Sequence, residues 1–228
     1  MKLKCFYTNA NSVVGKMSEL KLRAQGFDII GVVETWATAD INDAELAIEG
    51  YNMFRVDRSG RKGGGLIMYI NDKLKSSVCA DMMKSKFEES LWCTIEAEDG
   101  KFLIGLCYRN PSSDTSKCLL KLLRKTANTR GILHFMIMGD FNFPGIDYEH
   151  GIVGTSTNTA AAKFFDETQD LFFVQHVHAI TRYREGQQPS ILDYVFTDEE
   201  NLIEDVKIGS PLGKSDHCYG VGCYTEGE

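Results

Sequence analysis

The segment His134-Phe-Met-Ile-Met-Gly-Asp-Phe-Asn-Phe-Pro144 begins as an unbroken apolar run and then turns abruptly polar. Continuous apolar residues are the pattern of a strand covered on both faces. Gly139, Asp140, Asn142 and Pro144 follow, all of them types that favour turns, so a carboxylate and an amide stand where the strand gives out. The same arrangement recurs outward in both directions. Residues 27–33 form a second apolar run, ending in Gly31-Val-Val-Glu-Thr-Trp36 with Glu34 at its exit. Residues 3–9 read as a strand that ends at Asn9 and Asn11, and residues 102–108 as one that ends at Tyr108 in Cys107-Tyr-Arg-Asn-Pro111. Asp193 opens a strand over 192–197, in Ser190-Ile-Leu-Asp-Tyr-Val195, and Ser215-Asp-His217 precedes a last strand over 218–224.

Further strands fit 51–56, 66–70, 91–96 and 204–208. Three helices are expected between them. One starts from Ser12 as N-cap, with Val13, Met17, Leu20 and Ala24 along one face. A second covers 115–127, with Leu119, Leu122 and Leu123 inward and Lys117, Lys121 and Lys125 on a solvated face. A third, near 159–168, carries Ala161, Phe164 and Phe165. Strands outnumber helices, without the strict alternation of a Rossmann-type sheet. Two packed sheets with helices over their outer faces, an α/β sandwich, fit best.

A chain of 228 residues with 43% hydrophobic and 25% charged residues is ordinary globular material, which excludes disorder and fibrous repeats. With four prolines and no Ser/Gly-rich linker, one domain over residues 1–228 is expected. The seven cysteines are scattered, mostly in apolar runs and without a CxxC pair, which predicts reduced thiols in an intracellular protein. No apolar run approaches the ~20 residues of a membrane span, and the N-terminus lacks the apolar core of a secretion signal. The formal net charge of -7 argues against a protein that coats nucleic acid by bulk electrostatics, but leaves room for a local basic groove.

Ligands of α/β folds gather at strand ends, so these polar groups can converge on one site. Several carboxylates ionised side by side need a cation to offset them. Oxygens from Asp, Glu and Asn are hard ligands that suit magnesium rather than zinc. A histidine among them can stabilise an anionic oxygen or move a proton. Cation, carboxylate base and histidine together suit phosphoester hydrolysis. Taken singly, each motif has a plainer reading: Glu34 as a cap, Gly-Asp-Phe-Asn as a turn, Tyr108 as core. Their joint occurrence in order is what carries weight.

The series Asn9, Glu34, Tyr108, Asp140-Phe-Asn142, Asp193 and Ser215-Asp-His217 resembles the endonuclease/exonuclease/phosphatase superfamily along almost the whole chain. Tyr7-Thr-Asn-Ala-Asn-Ser12, Gly63-Gly-Gly-Leu-Ile-Met-Tyr69 and Gly213-Lys-Ser-Asp-His217 resemble, more narrowly, the apurinic-type endonuclease domain of non-LTR (LINE) retrotransposons. The resemblance implies a four-layered α/β sandwich, two mixed sheets face to face with helices outside. It implies Mg-dependent phosphodiester cleavage, with Mn2+ as a possible substitute. Glu34 is then the principal metal ligand, with Asn9, Asn11 and Asp216 near the metal. Asp140, held by Asn142, orients or deprotonates water. His217, oriented by Asp193, contacts the scissile phosphate, and Tyr108 binds the phosphate or assists the leaving group. Thr181 and Ser215 match flanking positions that hold DNA or the site's geometry.

By the same resemblance, nicking of double-stranded DNA leaves a 3′-hydroxyl for a reverse transcriptase domain of the same polyprotein, and the place of action is the nucleus. Eleven residues follow His217, so a reverse transcriptase is expected elsewhere in that polyprotein. Two departures separate the chain from repair enzymes. Asn11 stands where they usually carry aspartate, and Ile191-Leu192 precede Asp193 where they carry a basic residue. The inositol-phosphatase branch expects Trp and Cys beside that aspartate, and neither is present. An abasic-site repair endonuclease is the alternative reading, and a non-catalytic binding module a third.

Thr181-Arg-Tyr-Arg-Glu-Gly-Gln-Gln-Pro-Ser190 reads as a hairpin of two strands, whose Arg182 and Arg184 could meet DNA phosphates. Arg55, Arg58, Arg61 and Lys62 make a second basic cluster beside Gly63-Gly-Gly65. His176 and His178 are expected to be structural or surface residues.

Overall fold

The computed structural model describes residues 2–112, 114–154 and 159–225. Strands β1 (Lys2–Asn9), β2 (Ile29–Val33), β3 (Tyr51–Val56), β4 (Leu66–Asn71) and β5 (Ser76–Val78) come first, with helices α1 (Met17–Arg23) and α2 (Asp43–Leu46) among them. A hairpin of β6 (Ser90–Ala97) and β7 (Gly100–Tyr108) leads to α3 (Ser116–Ala127) and β8 (His134–Asp140). Two short strands, β9 (Ile146–Asp147) and β10 (Ile152–Val153), precede α4 (Ala160–Asp170) and β11 (Val174–Gln175). The chain closes with β12 (Asp193–Thr197), β13 (Ile203–Gly209) and β14 (Tyr219–Thr225).

These strands form two six-stranded sheets, ordered β13-β14-β1-β2-β4-β3 and β11-β12-β8-β7-β6-β5. Each is mixed: β1 runs parallel to β2 and β7 parallel to β8, with antiparallel partners elsewhere. Alternation along the strands divides the apolar residues into three layers. Leu3, Tyr7, Met68, Leu106 and Met138 fill the space between the sheets. Phe6, Ile30 and Tyr69 face outward from the first sheet onto Leu20 of α1 and Leu46 of α2. Phe135, Ile137 and Tyr194 face outward from the second onto Leu119 and Leu123 of α3 and Phe164 of α4. The architecture is the expected four-layered α/β sandwich.

Several local expectations change. Ser12 does not cap the first helix: it sits at a left-handed φ of 74° and its amide donates to the Glu34 carbonyl at 2.8 Å. The segment after β1 is held against the chain beyond β2, so the helix waits until Met17, although Val13, Leu20 and Ala24 are buried as the spacing predicts. The hairpin over 181–190 is a loop closed by a single pair, Arg182 and Ser190, rather than two strands. Tyr183 turns its amide to the Asp216 carbonyl at 2.9 Å, and Pro189 has no N–H to extend the ladder. Strands β5, β9, β10 and β11 and helix α2 span two to four residues each, too short for periodicity to reveal. The basic cluster over 55–62 is largely neutralised: Arg55 pairs with Asp43 and Asp57, and Arg58 with Glu89. The six cysteines whose state is described are free thiols, and no described helix is long and apolar enough to cross a membrane.

His176 proves structural. Its Nε2 lies 2.7 Å from Thr197 Oγ1, and that hydroxyl donates to the Glu199 carbonyl, so the imidazole must supply the proton. Burial first, and His178 second, push its pKa down to about 4. The unfolded chain therefore binds a proton below about pH 6.5 that the native state refuses until about pH 4, and this group's contribution to stability falls across that window on acidification. Urea melts at pH 7 and pH 5 should show a smaller loss for His176→Gln than for the wild type. Equal losses would remove His176 as a cause.

Candidate active site

Strand register builds the site. Tyr108 on β7 pairs with Asp140 on β8, and Asp140 with Asp193 on β12, so three polar residues stand abreast at one end of the second sheet. In the first sheet Asn9 pairs with Val33, which leaves Glu34 one residue beyond the ladder at the same end. The two sheets open there onto a cleft of about 700 Å³, lined by Asn9, Asn11, Glu34, Tyr108, Asp140, Asn142, Arg182, Arg184, Asp216 and His217. Among the described residues, four of the six non-glycine residues with positive φ line this cleft, Asn11, Glu34, Trp36 and Asn142, and a fifth, Ser12, adjoins Asn11. Such backbone is costly and persists only where surrounding contacts over-determine it.

A chain of polar contacts, hydrogen-bonded on either side of one charge pair, crosses the site floor. The Tyr7 hydroxyl donates to Asp193 Oδ1 at 2.7 Å, and Asp193 Oδ2 lies 2.8 Å from His217 Nδ1. The far nitrogen of His217, Nε2, is 3.8 Å from Asp140 Oδ2. That oxygen accepts from Asn9 Nδ2 at 2.9 Å, and Asp140 Oδ1 accepts from the Asn142 amide at 3.0 Å. Asn142 also donates its side chain to the Arg109 carbonyl at 2.9 Å, which fixes the turn after β8.

Burial and charge set the protonation of this chain. Burial alone would lower the His217 pKa, but Asp193, Asp140 and Asp216 overcome it and push it up to about 9, so the imidazole is a cation at neutral pH. Asp140 is raised well above the carboxylate range, first by burial and then by Asp193, while His217 and the bonds from Asn9 and Asn142 pull it back. Tyr108 is raised by burial and then by Glu34, and Tyr7 by burial and then by Asp193, so both phenols remain protonated donors. The arrangement can offer a cationic imidazole to an anionic substrate, a carboxylate able to take a proton near neutrality, and a neutral phenol.

Glu34 stands opposite. Its Oε2 accepts from the Gly64 amide at 3.0 Å and from the Trp36 indole N–H, and Tyr108 lies close enough to feel the same carboxylate's charge. Glu34, Asn9, Asn11 and Asp216 give the cleft carboxylate and amide oxygens without a thiolate, a donor set that fits a hard divalent cation. Asp216 Oδ2 is also paired with Arg182 Nε at 3.1 Å. Among the described residues, the compact group of three ligand atoms is instead Asp140, Asp193 and His217, within 4.8 Å of one another. Because Asp193 and His217 satisfy each other and all three are buried, that group is better suited to proton handling than to holding an ion.

Thr181 and Ser215 do not line the cleft. Thr181 Oγ1 accepts from the Leu192 and Asp193 amides at 3.1 and 3.2 Å, and Ser215 Oγ donates to the Asn9 carbonyl at 2.8 Å. They brace the Asp193 and Asn9 strand ends from behind. Arg182 is half committed to Asp216, while Arg184 is exposed at the cleft edge. Tyr7, Trp36 and Gly64 were not singled out by sequence for roles here. Tyr7 and Gly64 lie inside stretches that carried the resemblance, but nothing local marks them as partners of Asp193 and Glu34.

A family described as endonuclease-reverse transcriptase matches residues 102–221. Among solved structures, the chain is similar to the endonuclease domain of TRAS1, a telomere-specific non-LTR retrotransposon, with a TM-score of 0.75 and 14% identity over 99% of this chain and 100% of that one. It is similar to an AP endonuclease from Leishmania major, with a TM-score of 0.75 and 14% identity over 99% of this chain and 88% of the other. A 3′ phosphatase from Neisseria bound to a product DNA hairpin gives a TM-score of 0.68 at 14% identity, covering 98% of this chain and 100% of its own. At these identities the likeness establishes a shared fold. Comparison with curated proteins yields no match.

Proposed function

The chain belongs to the endonuclease-reverse transcriptase family, and from that premise we propose that residues 1–228 act as one catalytic domain that nicks double-stranded DNA with magnesium. Family membership makes the protein a nuclease-type phosphodiester hydrolase. The finer reading is a retrotransposon endonuclease whose cut leaves a 3′-hydroxyl, in the nucleus, for the reverse transcriptase of the same polyprotein to extend. The observation that carries it is His217 held between Asp193 and Asp140 on the cleft that Glu34 also lines.

In this reading each residue has a task. Glu34, with Asn9, Asn11 and Asp216, holds Mg2+, for which Mn2+ can substitute; when bound, the ion offsets charge on the phosphate. Asp140, kept in place by Asn9 and Asn142, orients a water and takes its proton. His217, fixed through Nδ1 by Asp193, turns Nε2 as a cationic donor toward a phosphate oxygen. Tyr108 donates its hydroxyl to the phosphate or the leaving oxygen. Arg182 and Arg184, at the cleft edge, meet the DNA backbone.

Supercoiled plasmid and an oligonucleotide with one abasic site separate this reading from a repair endonuclease, the alternative favoured by the likeness to AP endonucleases. Nicking of intact plasmid in Mg2+, lost on chelation and in Glu34→Gln, is the expected result. Cleavage confined to the abasic oligonucleotide sinks the retrotransposon reading, and activity undiminished by chelation sinks the metal site.

A further inference from the structure

The residues around Glu34 form a built support. The backbone of 34–36 is clamped from both sides: Ser12 and Val13 donate to the Glu34 and Thr35 carbonyls at 2.8 and 2.9 Å, and Thr35 and Trp36 donate to the Gly65 and Gly64 carbonyls at 3.2 and 2.9 Å. Glu34 and Trp36 both take left-handed φ angles, 54° and 55°. This double turn folds the indole of Trp36 back onto the carboxylate two residues earlier, where its Nε1–H donates to Oε2. The Gly64 amide reaches the same oxygen at 3.0 Å. Lys62 lies over the indole ring, its Nζ 4.8 Å from the ring centroid.

A carboxylate offers about four lone-pair directions. Trp36 and Gly64 occupy those of Oε2. We infer that Trp36 is a positioning residue for the cation site: with Gly64 it commits Oε2, so that Glu34 presents Oε1 alone to a divalent ion. This inference rests on the proposed metal role of Glu34. Hydrogen bonds to a ligating carboxylate fix its orientation, and their loss typically costs 10–100-fold in metal affinity. Without the indole N–H, Glu34 is free to rotate and Oε2 loses one of its two donors.

The chain contains two tryptophans, and the other, Trp92, is fully buried in the apolar layer outside the second sheet. Trp36 is therefore the indole that touches the cation site and the one whose emission should respond to it. The test is a calorimetric Mg2+ titration of wild type, Glu34→Gln and Trp36→Phe, with tryptophan emission followed in wild type and Glu34→Gln. Expected are a Mg2+ dissociation constant raised about tenfold in Trp36→Phe, binding lost in Glu34→Gln, and a wild-type emission change that Glu34→Gln abolishes. Wild-type affinity in a folded Trp36→Phe overturns the inference and leaves the site standing. Binding retained by Glu34→Gln overturns the site itself. The emission signal needs no substitution of Trp36, so wild-type protein that binds Mg2+ without any emission change also overturns the inference.

Discussion

His217→Ala lowers the plasmid nicking rate by about 10²–10⁴-fold, the span typical of losing a positioned acid–base group, while the fold survives. The His217 side chain is 8% exposed and lies between Asp193 Oδ2 at 2.8 Å and Asp140 Oδ2 at 3.8 Å, so its removal leaves two buried carboxylates without their shared cation. Asp140 then becomes harder to ionise, and the loss falls on the same step twice. Asp193→Asn tests the orientation separately. It keeps the shape but removes the carboxylate charge that holds His217 as a cation, and it also disturbs the acceptor of the Tyr7 hydroxyl. A fall of about 10²-fold or more is expected, with circular dichroism unchanged. Nicking by either variant within tenfold of wild type would take the His217 relay out of the chemistry.

Gly139→Ala is the largest expected stability effect. A Cβ at that position would lie 2.1 Å from the Cys107 carbonyl oxygen, a backbone atom on the neighbouring strand that cannot swing aside. Cys107 and Gly139 are register partners, one step before Tyr108 and Asp140, so any relief pushes β7 and β8 apart at the site. Overpacking typically costs about 1–3 kcal/mol and occasionally more, and a clash with fixed backbone puts this site at the upper end, about 3 kcal/mol. Gly145→Ala is the comparison: its φ of 86° carries a conformational cost, but a Cβ there meets nothing within 4 Å, so about 1 kcal/mol is expected. Urea midpoints order the two, and equal losses would remove the strand contact as the reason for glycine at 139. The same variant should also lose nicking activity, because Tyr108 and Asp140 move with the strands.

Local pattern made much of the molecule legible. The runs expected at 27–33 and 134–138 are strands buried on both faces, the first beginning at Ile29, two residues later than its composition predicts. Helix α3 buries Leu119, Leu122 and Leu123 as their spacing requires. Asn9, Glu34, Tyr108, Asp140 and His217 were visible as polar residues at the ends of apolar segments, and all five reach one cleft. Where periodicity had too few residues to work with, in β9–β11 and α2, it was silent. Ser12 shows the opposite failure: a residue with the chemistry of a helix cap was taken up by a tertiary contact with the chain after β2.

The sequence by itself determined which segments must be buried and which carboxylates, amides and imidazole stand at their ends, because burial pattern and turn chemistry are properties of a few neighbouring residues. Tertiary structure alone decided what those groups do to one another. Tyr7 meets Asp193 across 186 residues and Asn9 meets Asp140 across 131, contacts fixed by strand register that no local pattern encodes. The raised pKa of His217, the turning of Thr181 and Ser215 away from the cleft, and the seating of Trp36 on Glu34 follow from that register. Charge and hydrogen-bond energies depend on distance and desolvation, and both come into existence when the two sheets close on each other.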